Sequence, residues 1–363
     1  MNRLLNRLQS ELSNARGDVE RAELRARMAC ALARIGRFED AKELIRALRV
    51  DFGTGSSGQI SVWIMLAEGL THLYEDLSPL AFDRVNRAFV LSSAMKYRTM
   101  MALSGAWKAH LEFETSKFEA MCATLRQAIA SAETSNDDAH VRLTAVLANS
   151  FMIAGNRSQA QRLFLRGREH ALRIGDQASL EALVYNRATF GLSWLRAESC
   201  LGRDSRDDFS LLKVELQSAK NFQDLTGISA LSNHIDLWRA RLLVLEHKFE
   251  EAIDALVMIR DAKPFAAYNF RSSFIDLELA YCHMKLGNTS AALALASEIG
   301  PGFDTGLDID DRLVASWMAH QMCQVLGVFG PPETRELELK ARATDYENWQ
   351  SHLATMLQEF ETY

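Results

Sequence analysis

Apolar residues recur every three or four positions along almost the whole chain. Leu4, Leu5, Leu8 and Leu12 open the pattern, Leu44, Ile45 and Leu48 continue it, and Ile253, Leu256, Val257 and Ile259 repeat it much later. That interval puts each set on one face of a helix, so it predicts amphipathic helices that each bury one stripe. Strict alternation, the mark of half-buried strands, is almost absent. Gly155-Asn156, Gly175-Asp176, Gly287-Asn288 and the triplet Gly300-Pro301-Gly302 punctuate the helices where chain reversals are expected.

The reversals are themselves repeated. Gly36 to Ala41 reads GRFEDA, and His247 to Ala252 reads HKFEEA. Seven positions before each phrase stands a small residue. The series runs Ala29, Gly69, Ala109, Ala148, Ala240, Ala280, with gaps of 40, 40, 39, 92 and 40 residues. A second series, at the last position of the phrase, reads Ala41, Ala81, Met121, Ala160, Ala252, Ala292. Small side chains let helix backbones pass closely, so the paired series predicts stacked helical hairpins. The 92-residue gap spans two periods and predicts a degenerate, longer unit near 177–222, where LEALVYNRATFGLSWLRAESC and FSLLKVELQSAKNF flank the polar break GRDSRDD.

A small residue, then seven positions on Gly-x-Phe-x-x-Ala, then a second amphipathic helix, resembles the tetratricopeptide (TPR) signature. GRFEDA and HKFEEA carry it most fully. GNRSQA (155–160) and GNTSAA (287–292) share its Gly and Ala, and SKFEAM (116–121) shares its Phe. The long period and the phrase HALRIGDQASLEAL (170–183) are similar to the units of bacterial regulatory proteins, among them peptide-pheromone receptors. The resemblance implies an all-α fold, a right-handed α-solenoid of about seven to eight TPR-like hairpins over residues 18–330. Residues 1–17 would cap one end, and residues 331–363 would cap the other or dock a partner.

In such stacks the first helix of each pair lines the concave face. Carried over residue by residue, the groove position one past each small anchor falls on Cys30, Leu70, His110, Asn149, Arg241, Tyr281 and, by extension, Gln321. Four residues earlier on the same face stand Leu66, Leu237, Leu277 and Trp317, among others. His110, Asn149, Arg241, Tyr281 and Trp317 are therefore the candidate partner-binding residues. Trp107 and Trp238 occupy equivalent positions beside this face and are expected first of all to pack between helices. The Lys, Arg and Asn cluster that would clamp a peptide carboxylate is missing from these positions, which favours an amphipathic helix or an extended apolar peptide as partner.

Charge and cysteine content narrow the function further. A net charge of −6 supplies no overall positive field for nucleic acid or an anionic membrane. Residues 1–60 carry eleven basic and eight acidic side chains and residues 300–363 four and eleven, an imbalance expected of solvated end faces. The five cysteines are never closer than 41 residues, so no disulfide framework or zinc spacing is legible, and with no signal-peptide pattern the expected compartment is the cytoplasm.

Motifs that would carry catalysis are incomplete. GTGSSG (53–58) has the glycine spacing of a phosphate loop, but Gln59 and Ile60 stand where Lys and Ser/Thr are needed, so it reads as a linker. DTGLDIDD (304–311) contains the Asp-Thr-Gly triplet of aspartic proteases only once and in a helical context, which leaves helix capping by Asp308 or Asp310 as its expected role. No cofactor or metal ligand set emerges, and an enzyme is not expected. The expected function is a protein- or peptide-binding scaffold, with self-association through the terminal helices open. Two alternatives stand beside it: a regulatory receptor whose superhelical pitch changes on binding a signalling peptide or small ligand, and the sensory half of a longer enzyme.

Overall fold

The computed structural model describes residues 2–52, 58–203, 206–226, 232–262, 272–300 and 302–363. Residues 53–57 of the GTGSSG stretch, 204–205 of the polar break and Pro301 lie outside them. Among the described residues there are seventeen α-helices and no strand. A first series of hairpins comprises α2 (Asp18–Arg34) with α3 (Phe38–Phe52), α4 (Gly58–Asp76) with α5 (Leu80–Ala94), α6 (Arg98–Glu114) with α7 (Phe118–Ser131), and α8 (Asp137–Ile153) with α9 (Arg157–Ile174). A second comprises α10 (Gln177–Cys200) with α11 (Arg206–Thr226), α12 (Ser232–Leu245) with α13 (Phe249–Ala262), and α14 (Ser272–Lys285) with α15 (Thr289–Glu298). The stack is completed by α16 (Ile309–Leu326), α17 (Pro332–Leu357) and, before the first hairpin, α1 (Arg3–Asn14). Most helices pack on their chain neighbours, and α4, α8 and α16 pack also on the first helix of the preceding hairpin, α2, α6 and α14, giving an all-α solenoid. No helix among the described residues is long and apolar enough to cross a membrane.

The repeated phrase is a turn. Its first residue, Gly36, Ser116, Gly155, His247 or Gly287, has positive φ in every copy. The next residue's N–H then reaches back to the helix, as from Arg37 to Leu32 O (2.9 Å), Lys117 to Glu112 O (2.8 Å) and Lys248 to Leu243 O (2.9 Å). A left-handed residue closing such bonds ends a helix and reverses the chain at once. Glycine adopts that conformation freely, whereas Ser116 and His247 do so at a cost.

Both series, the larger Met121 included, are buried throughout. At Gly69 the approach is closest: a Cβ there would stand 2.6 Å from Val85 Cγ2 and 3.2 Å from the Val85 backbone nitrogen. The degenerate unit is longer, as expected, with 24 residues in α10 and 21 in α11. Its length has a structural cause. The N-terminal end of α10 packs on α8 and α9, and the helix also packs on α12 and α16, so one helix belongs to both halves of the stack.

The first helix packs on the first hairpin, and the last runs back across the stack. Leu4 and Leu8 of α1 pack on Leu24 and Ala31 of α2, and the Gly175 turn between α9 and α10 abuts the α1 backbone at Arg3 and Leu4. From its contact with α16, α17 runs back to α7 and α8. Tyr346 packs with Ala197 and Leu313, while Leu353, Leu357 and Phe360 enter the core of the first half. Arg126 pairs with both oxygens of Glu359 (2.9 and 2.7 Å), and His140 Nδ1 bonds the Tyr363 hydroxyl at 2.6 Å. The helix is a strut between the halves.

Candidate functional site

Ion pairs between helices far apart in sequence close the inner face of the first half on itself. Arg27 of α2 reaches Asp138 of α8 at 2.8 Å. Arg34, two helical turns further along the same face, meets Asp176, the N-cap of α10, at 2.7 and 3.2 Å, and donates to Ser179 Oγ at 2.7 Å. Asp176 Oδ1 also accepts from Ser179 N at 3.1 Å, so one carboxylate both starts α10 and fastens it to α2. Burial opposes both charges. The pair outweighs it, holding the Asp176 carboxyl below its ordinary range and the Arg34 guanidinium above its own.

Inside this closure lies a cavity of about 50 Å³, roofed by Leu4 and Leu8 of α1. Its apolar wall includes Trp63, Leu66, Leu70, Leu103 and Val141, and its charged groups are Arg27, Arg34, Arg142, Asp138 and Asp176. Arg142 is 4% exposed. Its guanidinium carbon sits 3.7 Å from the centroid of the Trp107 ring, no carboxylate among the described residues pairs with it, and its Nε has no hydrogen-bond partner. Burial weakens its hold on the proton; the Tyr74 hydroxyl and, at longer range, the Asp176 carboxylate partly offset this, and Arg34 adds to it. This is the unusual group of the site, since a buried cation is ordinarily matched.

A second ionic cluster holds the other half together. Arg196 of α10 pairs with Glu278 of α14 at 2.5 Å and with Asp311 of α16 at 2.9 Å. Arg241 of α12 meets Glu278 at 3.0 Å and Asp311 at 3.6 Å, and Ser193 donates to Asp310. Four helices thus converge on charges that water barely touches: Arg241 is 1% exposed and Glu278 0%. Helix capping by Asp308 or Asp310 is the role expected in the DTGLDIDD run, whereas Asp310 and Asp311 serve this interior. Asp308 is the α16 N-cap residue but its side chain makes no capping bond.

The candidate groove residues therefore divide. Arg241 lies in the buried ion network, and Tyr281 is 3% exposed between Phe249 and Trp317, ring centroids 6.2 and 5.5 Å away. Asn149 is 1% exposed and neither side-chain amide atom has a partner. None of the three fronts an open groove, because the inner helices approach too closely and close on one another. Trp317 is half-buried, and His110 packs edge-on to Trp107 at 5.7 Å. Burial, then Arg142 and Arg34, push the His110 imidazole well below its ordinary range. Cys30, Leu66 and Leu70, reached by the same counting, do line the cavity. The count missed Arg34 and Arg142. A signal for Arg142 exists: it is the one basic residue in the apolar run VRLTAVLANSFMIAG apart from nothing but small and apolar neighbours, Asn149 and hydroxyls.

The carboxyls of Glu181 and Glu114 sit far above their usual range. Glu181, 4% exposed and with Oε1 unpartnered, is pushed up to about 7 by burial alone. Glu114, 48% of whose side chain touches solvent, reaches about 7 through the crowding of neighbouring protein and the nearby Asp308, with Arg142 opposing the rise. A carboxyl whose folded pKa is raised keeps a proton the unfolded chain has lost, so it costs stability as pH rises from its ordinary 4.5 towards 7. Glu181→Gln is expected to stabilise the protein by about 1–2 kcal/mol near pH 8 and to change nothing near pH 4. Urea unfolding at the two pH values checks this.

No protein-family model matches the chain, and no curated protein sequence is significantly similar to it.

Proposed function

We propose that the protein is a TPR-like, non-enzymatic regulatory receptor, acting in the cytoplasm, whose repeat stack encloses a small ligand and changes pitch when it binds. The closure of α2 onto α8 and α10 by Arg27–Asp138 and Arg34–Asp176 carries this reading. A stack that binds a helical or extended peptide needs a long open concave face, whereas the cavity that these pairs border has a volume of about 50 Å³. That suits a ligand of a few heavy atoms. The left-handed hairpin turns and the paired small residues support the TPR-like assignment.

Native mass spectrometry of the protein gently purified from its own host tests the proposal. The expected result is a mass excess that denaturation releases as a small molecule. A protein or peptide held in its place would favour the scaffold reading instead.

A further inference from the structure

We propose that the cavity between α2, α4, α6 and α8 binds a small monocarboxylate, its charge paired with Arg142 and its short apolar body against Leu66, Leu70 and Leu103. The inference rests on the receptor reading and gives its ligand a chemical class. Comparison among the buried arginines carries it. Arg196 and Arg241 share Glu278 and Asp311, and Arg34 has Asp176. Arg142, 4% exposed, makes no ion pair of its own among the described residues: Asp176 and Glu114 act on it only at longer range, and its close neighbours are the Tyr74 hydroxyl and the Trp107 face. A chain that supplies a carboxylate to its other buried guanidiniums leaves this one for an anion from outside.

The walls select among anions. Three guanidiniums and two carboxylates line the cavity, an excess of one positive charge, which a monoanion neutralises and a phosphate dianion overshoots. Trp107 covers one face of the Arg142 guanidinium, so the in-plane N–H edge is left for the paired hydrogen bonds that a carboxylate accepts. Apolar residues make up much of the rest of the wall, so a few carbons gain more there than further polar groups.

The test follows thermal unfolding and intrinsic tryptophan fluorescence while the full-length protein is titrated with butyrate, with its neutral isostere butyramide, and with inorganic phosphate. Butyrate is expected to raise the unfolding temperature saturably and perturb the fluorescence, with little effect from the other two. Arg142→Met removes the buried charge without emptying the space. It is expected to raise the unfolding temperature of the free protein and to weaken butyrate binding roughly 10- to 100-fold, while Arg142→Lys retains part of it. Should the methionine variant not fold, the butyrate and butyramide titrations of the parent still decide. Equal response to butyramide would overturn the carboxylate while leaving the receptor reading standing. A preference for phosphate would overturn the monocarboxylate. No response to any probe, or an undiminished butyrate response in Arg142→Met, would overturn the site.

Discussion

Glu278→Ala is expected to unfold the second half of the stack, at a cost of about 3–5 kcal/mol. Glu278 is wholly buried and accepts from Arg196 and Arg241 at once. Taking those charges out of water is expensive, and their attraction to Glu278 and Asp311 offsets that cost only while the set is complete. Removing the glutamate leaves two guanidiniums, 3% and 1% exposed, with Asp311 as the one carboxylate ion-paired to both among the described residues. Glu278→Gln keeps the shape and loses the charge, so it should fall between parent and alanine variant. Because the apolar cores of the two halves are largely separate, calorimetry should place the loss in the transition of the second half.

The other large effect is expected at Asp176. Asparagine is as good an N-cap as aspartate, so Asp176→Asn keeps the start of α10 while taking away the partner of Arg34. Arg34 and Arg142 would then share the interior with no carboxylate between them, their guanidiniums both lying over the Trp107 ring at 5.7 and 3.7 Å. A loss of about 3 kcal/mol is expected, measured by urea unfolding. Asp138→Asn, at a pair with 24% and 29% of its side chains exposed, should cost far less.

The helical stack was legible because its signals are local. Glycine at Gly36, Gly155 and Gly287 announced the turns, and Ala29, Ala109 and Ala148 announced the close passes, each readable from its own neighbours. The same periodicity located Cys30, Leu66 and Leu70 on the inner face. Closure was not legible, because Arg34 meets Asp176 across 142 residues and Arg196 meets Glu278 across 82. Counting along one helix picks out Arg241, yet it cannot tell that three other helices meet there. Nor does amphipathicity tell an end cap from a strut, so α17 read as a terminal helix although its residues reach back to α7 and α8.

The most direct test of the closed interior is small-angle X-ray scattering from the parent and from the double variant Asp138→Asn, Asp176→Asn, which cuts both ion pairs joining α2 to α8 and α10. With helical content preserved by circular dichroism, a larger radius of gyration in the variant is the expected result. An unchanged radius would mean that packing alone shapes the stack and that these pairs do not close it.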